Sequence, residues 1–446
     1  MTAFVDEATI RAARDRAANL PLPAVEAERW NRAVRYAVDR PIDPTAERAA
    51  GLRTLFGSDG SSDAAVLATA ARLLSEELDG SADAVTLEVR RRCLQWFDED
   101  VRSAAPLLEL FTGHHKDPEA GPPAPDPALV HRLETWLAAR VAPNTRIESA
   151  SMLAGGFSRL MLDVRWTDGG RGVFRIEQDG MFATDGAREV AAMRAVRATG
   201  YPAPAVLWEE HDADVIGAPF FVMEFVNGAA RTDDAGIDDM LRSLGDLHRL
   251  GRAAVDRVAN LDGVPPGSAP ESAIDAQLEH WHQVYRAAVP TPIPLLERAF
   301  AWLRMHLRPT GPTVIVHGDP GPGNALQNEN GVAAVIDWEF AHAGDAAEDW
   351  AYLALIRGRK LAGPAEWKAR IAATVGVEFD EPTWLAWEVY NNVKGACVNL
   401  TALDVFRRSA RPNPDLLAIG VAVHLRFLAR AIELTAVRDG ARDTPR

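Results

Sequence analysis

The sequence has only two cysteines among 446 residues, Cys93 and Cys397, and they lie far apart along the chain. Two distant cysteines cannot form a disulfide framework or a cysteine-based zinc site. Their scarcity is typical of proteins in a reducing compartment and predicts a cytoplasmic location. We expect both to be small, buried, hydrophobic side chains.

Long apolar runs are also missing. No stretch approaches the roughly 20 apolar residues that a membrane-spanning helix needs. The first residues, MTAFVDEATIRAARDRAANL, contain early acidic side chains and no apolar segment with a cleavage site. The sequence therefore predicts no signal peptide and no membrane partner.

A basic stripe is the third missing feature. The formal net charge is −15, and a nucleic-acid backbone would be repelled by this overall field. We therefore expect no nucleic-acid partner. The acidity either aids solubility or, in part, lines a site for a metal or a cationic substrate.

The chain is long enough for two or three domains. Residues 1–112 are predicted to be helical, because apolar residues such as Trp30, Val34 and Val38 recur at every fourth position. The segment GSDGSSD separates two helices there, with Asp63 as the expected N-cap. Residues 113–127 are rich in proline and glycine and are predicted to be a linker, after which Asp126 caps a helix beginning at Pro127.

Strand patterns follow this helix. Two extended segments flank a Gly-Gly turn, GVFRIEQ follows as a third strand, and two more strands come after the helix GAREVAAMRAVRATG. These five strands predict a small mixed sheet within residues 128–226. Residues 227–446 are predicted to be mostly helical, interrupted by two short strands in TVIVHGD and VAAVIDWE.

The Gly-Gly turn lies in LAGGFSR, between the first two strands. Glycines there would let backbone N–H groups cradle a phosphate, although a glycine hairpin is more often only a turn. Arg175 lies within the third strand among apolar residues, and Glu189 follows on the next helix. A buried cation needs a carboxylate partner, so the two form either a structural ion pair or a phosphate anchor.

The segment HGDPGPGN contains the main candidates for catalysis and metal binding. Its prolines and glycines favour a loop that positions Asp319 and Asn324, and Asp337 arrives from the next strand. Carboxylate and amide oxygens without cysteine favour Mg²⁺ over zinc. Two other interpretations are ordinary turn residues and a hydrolase metal site that begins at His317 and Asp319. The order of these groups after the glycine turn and Arg175 favours phosphoryl transfer.

The motifs HGDPGPGN, IDWE, GDAAEDWAYL and GAPFFVMEFVNG resemble those of the aminoglycoside phosphotransferase and choline kinase family, relatives of protein kinases. The resemblance covers residues 153–437. Within it, QLEHWHQVYRAA, ERAFAWLRMHLRP and VFRIE resemble the kinase-like domains fused to some acyl-CoA dehydrogenases. The sequence departs from that group's pattern at Arg159, where an Asn is usual.

The resemblance implies an α+β, bilobal, protein-kinase-like fold, with a small five-stranded N-lobe and a mostly helical C-lobe after the all-helical N-terminal region. It also implies that ATP and Mg²⁺ are the cofactors. Asp319 would be the catalytic base, Asn324 and Asp337 would bind the metal, and His317 and Asp349 would hold the catalytic loop in shape. ATP would be bound by the remaining candidates: Gly155, Gly156, Phe157, Ser158, Arg175, Glu189, Met223, Glu224 and Val226.

The resemblance also implies that the acceptor is a small molecule with a hydroxyl group. Helices around Trp281, Tyr285 and Lys394 are expected to wall its pocket, although aromatic residues at helical spacing are more often core. The resemblance to the dehydrogenase-fused kinases favours a hydroxyacyl-CoA or another small alcohol over an aminoglycoside. A cationic antibiotic would also need several acidic groups and no inward lysine. A nucleotide-binding pseudokinase is the alternative of another class. The N-terminal helices could serve homodimerisation or cap the acceptor site.

Overall fold

A computed structural model describes residues 5–18, 24–38, 45–57, 60–80, 82–112, 124–153, 159–177, 186–409 and 412–442. The chain divides into two compact units. The first, here called the helical unit, comprises Met1–His115, Gln277–Leu307 and Leu385–Arg446. The second, the sheet unit, comprises Lys116–Ala276 and Arg308–Trp384.

In the helical unit, the described residues form helices that pack through buried apolar side chains. Trp30 and Ala33 are fully buried one turn apart in the second helix, and the Trp30 ring lies 5.8 Å from that of Phe406. The N-cap after the GSDGSSD segment is Ser62, not Asp63, because the Ser62 hydroxyl accepts from the N–H of Ala65. The helices are α1 (Glu7–Ala17), α2 (Ala24–Val38), α3 (Thr45–Phe56), α4 (Asp63–Glu76), α5 (Ala84–Thr112), α10 (Pro270–Ala288), which enters this unit at Gln277, α11 (Pro294–His306), α14 (Glu381–Arg408), α15 (Pro414–Ala418) and α16 (His424–Arg442).

The sheet unit begins with α6 (Pro127–Arg140). The carboxylate of Asp126 accepts the N–H of Ala128 at 2.9 Å, which confirms the predicted cap. Leu133 and Trp136 on this helix pack against Phe174 and Phe220 on the sheet. The strands are β1 (Ile147–Met152), β2 (Arg159–Trp166), β3 (Gly170–Glu177), β4 (Val206–Glu210) and β5 (Phe220–Glu224).

The five strands form one sheet in the order β1-β2-β3-β5-β4. Every neighbouring pair is antiparallel, so the prediction of a mixed sheet is wrong. The reason is that β5 returns beside β3 and separates it from β4. Arg175 consequently lies on a central strand, opposite Met161 on one side and Phe221 on the other.

The rest of the sheet unit is mostly helical, with four short strands where two were predicted, because β7 and β9 were missed. These strands pair as β6 with β9 and β7 with β8. A core that contains Ile315, Trp338 and Trp350 packs beneath them. The elements are α7 (Gly186–Arg197), α8 (Asp234–His248), α9 (Arg252–Leu261), β6 (Val314–Val316), β7 (Ala325–Asn328), β8 (Gly331–Val335), β9 (His342–Gly344), α12 (Ala346–Tyr352) and α13 (Pro364–Val375).

The predicted fold class is therefore confirmed: a five-stranded sheet, a mostly helical part after it and helices before it. Cys93 and Cys397 are both buried free thiols, as expected. Burial raises the pKa of Cys93 to about 11. Within the described part of the chain, no helix has the length and apolar character required to cross a bilayer.

Candidate active site

The loop between β6 and β7 carries Asp319 and Asn324. Gly318 has a φ of +82°, and a Cβ placed there would lie 2.5 Å from the carbonyl oxygen of Phe340. Only glycine tolerates both conditions, so this residue lets the loop pass close to the segment that follows Asp337. Residues Pro322–Asn324 then form one turn of 3₁₀ helix before β7.

Asp349, on α12, holds this loop from below. Its two carboxylate oxygens accept the backbone N–H groups of His317 at 2.8 Å and Gly318 at 2.9 Å. The ring of His248 lies 2.9 Å from the same carboxylate. Burial alone would raise the pKa of Asp349, but His248 and the groups of His317 hold it below its ordinary value. The carboxylate is thus a buried, ionised clamp on the loop.

His317 joins the loop to the strand that leads to Asp337. Its Nε2 lies 3.0 Å from the carbonyl oxygen of Ile336, and its Nδ1 lies 3.3 Å from the backbone nitrogen of Asp319. The carbonyl of Ile336 can only accept, so Nε2 carries the proton and donates it there. Nδ1 accepts the N–H of Asp319. The ring packs 4.9 Å from that of Trp338 and is fully buried. His317 therefore shapes the loop.

Asn324 lies directly beside Asp319. Its Nδ2 donates to the backbone carbonyl of Asp319 at 2.8 Å and to the Oδ2 of the same residue at 3.3 Å. Its own carbonyl accepts the N–H of Ile336 at 2.9 Å, which brings the residue before Asp337 alongside. The side-chain Oδ1 of Asn324 accepts no hydrogen bond from a described residue.

Asp337 has a φ of +68°, which is unusual for a residue other than glycine. Backbone strain of this kind is concentrated at functional sites. Its Oδ1 lies 3.1 Å from Nη2 of Arg175. Burial opposes ionisation, but the charge and hydrogen bond of Arg175 keep the pKa of Asp337 below its ordinary value. Asp337 is therefore an anion at neutral pH.

Arg175 also contacts Glu189, whose Oε2 lies 3.2 Å from Nη2. The structure places a second guanidinium, that of Arg159, on the same Glu189 oxygen. All three side chains are almost completely buried. Two cations share one buried carboxylate, so this cluster retains an excess of positive charge beside Asp337. The sequence marked Arg159 only as a departure from the family pattern and missed it as a partner of Glu189.

Glu339 was not predicted to belong to the site. It is buried, and burial together with the charges of Asp337 and Glu189 raises its pKa to about 8. The only signal in the sequence is its place in the IDWE motif, two residues after Asp337.

Arg357 was also missed. Its Nε lies 2.6 Å from Oδ1 of Asp319, and its Nη2 bonds to Oδ2. Desolvation lowers the pKa of Arg357, but the hydrogen bond and charge of Asp319 outweigh it and raise the pKa above its ordinary value. No short-range sequence signal links these residues, which are 38 positions apart.

The predicted glycine-loop residues Gly155, Gly156, Phe157 and Ser158 lie outside the described residues. The strands on either side, β1 and β2, are described and pair with each other. Met223 and Glu224 end β5, and the side chain of Glu224 accepts the N–H of Ala205 at 3.0 Å. Val226 follows two residues later, outside the strand, and its N–H donates to no described residue.

The three predicted acceptor residues lie in the helical unit and are buried there. The ammonium group of Lys394 lies 5.7 Å from the centroid of the Trp281 ring. The hydroxyl of Tyr285 donates to Glu297 at 2.5 Å and accepts the N–H of Ile293 at 3.2 Å. These contacts stabilise the helix pair, and a part in acceptor binding stays a prediction.

The donor groups fit a magnesium ion that is shared with phosphates. Asp337 is ionised and Asn324 has a side-chain oxygen without a described donor, and Mg²⁺ in such sites takes one or two protein carboxylates with phosphate oxygens. Within the described residues, no group of three His, Cys, Asp or Glu side chains could hold a metal alone.

The antiparallel sheet, the carboxylate loop held by a buried Asp, and the Asp with positive φ define a protein of the protein-kinase-like class. A sequence profile described as "Phosphotransferase enzyme family" matches residues 149–388. The match covers more than half of the chain, so the chain belongs to this family.

Curated relatives include two proteins of the acyl-CoA dehydrogenase family, which confirms the resemblance to that group. Mouse acyl-CoA dehydrogenase family member 10 is 31% identical over 38% of this chain and 16% of its own length. Chicken acyl-CoA dehydrogenase family member 11 is 29% identical over 37% of this chain and 22% of its own length. The chain thus spans less than a quarter of either relative.

Solved structures of small-molecule kinases also align with this chain. Ethanolamine kinase from Plasmodium vivax is 12% identical, with a TM-score of 0.48 over 74% of this chain and 94% of that chain. Choline kinase from Streptococcus pneumoniae is 14% identical, with a TM-score of 0.43 over 68% of this chain and 99% of that chain.

Proposed function

We propose that the protein is an ATP-dependent small-molecule kinase that transfers the γ-phosphate to a substrate hydroxyl. The observation that carries this proposal is a chain of contacts. Asn324 bonds to Asp319 and, through its carbonyl, to the N–H of Ile336, the residue before Asp337; Asp337 bonds to Arg175, which contacts Glu189. These contacts join a carboxylate, two oxygen donors for a cation and a guanidinium anchor. Phosphoryl transfer needs these parts, because its catalysis is mainly positioning and charge neutralisation.

Each residue has a distinct role in this proposal. Asp319 accepts the proton of the attacking hydroxyl. Asn324 and Asp337 bind Mg²⁺, which neutralises charge on the phosphate oxygens when it is bound. Arg175 contacts the α- and β-phosphates and is oriented by Glu189, because the shared carboxylate fixes its guanidinium plane.

The adenine would lie against the end of β5. There the carbonyl of Glu224 and the N–H of Val226 supply one acceptor and one donor, and Met223 packs behind them. The residues Gly155, Gly156, Phe157 and Ser158 would close over the phosphates. Asp349 and His317 do not react in this scheme, since their hydrogen bonds hold the loop that carries Asp319 and join it to His248 and Ile336.

For the acceptor we propose a hydroxyacyl-CoA or another small alcohol. The similarity to acyl-CoA dehydrogenase family members 10 and 11 supports an acyl substrate. A cationic aminoglycoside is less well matched, because the guanidinium of Arg357 lies directly on the proposed base. An ammonium group of the antibiotic beside Asp319 would be repelled by this guanidinium.

The experiment is a transfer assay with γ-labelled ATP and Mg²⁺ against hydroxyacyl-CoAs, small aromatic and terpenoid alcohols, and aminoglycosides. We expect labelled product from a hydroxyacyl-CoA or a small alcohol, and none when the Mg²⁺ is chelated. Nucleotide binding without transfer or hydrolysis across the panel would contradict the kinase and favour a pseudokinase that binds nucleotide.

The metal role of Asp337 gives a separate prediction. In Asp337→Asn, the part of the ATP-induced rise in melting temperature that requires Mg²⁺ should be lost, while the part seen in chelator remains. A metal ligand worth a tenfold change in affinity corresponds to about 1.4 kcal/mol. Asn is chosen because it tolerates positive φ better than Ala does.

The matched control for that variant is Asp168→Asn. Asp168 has a φ of +71° and is, with Asp337, one of two non-glycine residues with positive φ in the described chain. It is exposed, in a turn between β2 and β3. If Asp337→Asn keeps the full Mg²⁺-dependent shift of the wild type, Asp337 does not bind the metal.

A further inference from the structure

Arg357 occupies both oxygens of the proposed catalytic base. The Nε and Nη2 atoms of the guanidinium bond to Oδ1 and Oδ2 of Asp319, the bidentate arrangement in which Arg binds carboxylates most strongly. The Asp319 side chain is only 4% exposed, whereas that of Arg357 is 50% exposed. One side of the guanidinium therefore seals the base, and the rest of it faces solvent.

The position of Arg357 is fixed at its stem. It ends a π-helical turn, Leu353–Arg357, which follows directly on α12. A Cβ at Gly321 would lie 2.9 Å from Cβ and 3.0 Å from Cγ of Arg357, so the stem packs against the backbone of the catalytic loop. The Cβ and Cγ atoms of Arg357 are thus held in place, while the half-exposed guanidinium has room to move.

Tyr352 lies on the same turn of the chain, and its hydroxyl interacts with both Asp319 and Arg357. Burial, followed by the charge of Asp319, raises the pKa of this phenol well above its ordinary value. The hydroxyl is therefore a neutral hydrogen-bonding group beside the ion pair. Arg357 is the cation that balances Asp319 in this contact.

This arrangement conflicts with the chemistry of a base. In the proposed kinase function, on which this inference rests, a substrate hydroxyl donates its proton to Asp319. A guanidinium bound to both oxygens covers the positions that the hydroxyl must reach. Arg357 must release at least one oxygen when the acceptor binds. A second anion near the hydroxyl would draw it away.

We propose that Arg357 is the acceptor-binding residue that selects an anionic alcohol. The substrate would carry a carboxylate or a phosphate close to the hydroxyl that is phosphorylated. This narrows the proposed acceptor to the small alcohols, because the acyl group of a hydroxyacyl-CoA is a neutral thioester. Its anion would take over the guanidinium as the hydroxyl takes over Asp319. Both groups are planar or multidentate oxygen anions, which Arg binds through paired N–H donors. The exchange keeps one anion on Arg357 throughout.

The test compares alcohols that differ only in charge. Hydroxybutyrate, butanediol and aminobutanol share a carbon chain and carry a negative, a neutral and a positive end. Glycerol phosphate and glycerol form the corresponding phosphate pair. We expect the full-length wild type, with MgATP, to show a kcat/KM at least about tenfold higher for an anionic member than for its neutral partner. The anionic alcohol with the higher kcat/KM, hydroxybutyrate or glycerol phosphate, shows whether the site prefers a carboxylate or a phosphate.

In Arg357→Gln that preference should disappear through a higher KM for the anionic member, while kcat/KM for the neutral alcohol stays equal or rises. Arg357→Lys keeps the charge without paired donors and should fall between. Arg242→Gln is the matched control, because Arg242 is 57% exposed and pairs with Asp239 on α8 of the same unit. It should behave as the wild type does.

The assignment is overturned if the wild type uses neutral or cationic members as well as anionic ones, or no anionic member at all. It is also overturned if Arg357→Gln reduces both members of a pair equally, since that result would make Arg357 a support of the base. Hydrolysis of MgATP by the wild type is measured in parallel. If the wild type hydrolyses MgATP, the kinase proposal survives even when the assignment of Arg357 fails. If MgATP is neither hydrolysed nor bound, the kinase proposal and the assignment of Arg357 both fail.

Discussion

Asp319→Asn is expected to lower kcat for phosphoryl transfer by about a thousandfold while MgATP affinity stays within about twofold of the wild type. The amide has the size of the carboxylate but cannot accept the proton of the hydroxyl, and general-base catalysis contributes roughly 10²- to 10⁴-fold. Nucleotide binding should persist, because Asn324, Asp337 and Arg175 are unchanged. Steady-state kinetics and nucleotide titration measure the two quantities.

This substitution should leave the fold almost intact. Arg357 loses its anionic partner but is half exposed, so water can solvate the guanidinium. Asp246→Asn is the control, since Asp246 is 64% exposed and pairs only with a neighbouring surface arginine. Retention of more than a tenth of wild-type kcat in Asp319→Asn would exclude Asp319 as the base.

The second large effect is on stability. Asp349→Ala should lower the free energy of unfolding by on the order of 3–5 kcal/mol, the typical cost of removing one member of a buried charged network. Three donors lose their acceptor at once: the backbone N–H groups of His317 and Gly318, and the ring of His248. Urea-induced unfolding followed by tryptophan fluorescence measures the loss.

Asp233→Ala supplies the scale for that measurement. Asp233 caps α8 by accepting the N–H of Gly236 at 2.9 Å, but its side chain is 56% exposed. Loss of such a cap costs about 1 kcal/mol. If the two Ala variants are equally stable, the hydrogen bonds to Asp349 do not hold the loop, and the role proposed for it is wrong.

The same carboxylate makes stability depend on pH. Its pKa is lower in the folded chain than in the unfolded chain, so its contribution is complete above the ordinary pKa of Asp. That contribution is lost as pH falls from about 4 through the lower folded pKa. Asp349→Asn, which has no charge to lose, should show a flatter dependence of melting temperature on pH below about 5.

The sequence predicts the parts of the site that are encoded locally. Asp319, Asn324 and the glycines around them sit within one loop, whose turn residues exclude a long helix and fix the order of the groups. The pairing of Arg175 with a carboxylate could be predicted, because a cation inside an apolar strand requires a partner. The helix cap at Asp126 is local in the same sense.

Features that depend on distant contacts could not be read in this way. The direction of the sheet follows from β5 inserting beside β3, which no pattern within either strand encodes. Arg357 reaches Asp319 across 38 residues, and Arg159 shares Glu189 across 30. The raised pKa of Glu339 depends on charges that only the folded chain brings together. The types of these residues do not show which of them the fold brings into contact.

The π-helical turn that ends at Arg357 has an evolutionary consequence. A π turn holds one residue more than an α-helix of the same pitch, and each residue of an α-helix rotates the next side chain by about 100°. Deleting a single codon within Leu353–Arg357 would return the turn to α-helical geometry and change how the chain presents Arg357, while every residue of the catalytic loop stays the same. If Arg357 binds the acceptor as proposed, such a deletion would alter the acceptor site and keep every residue proposed to bind ATP.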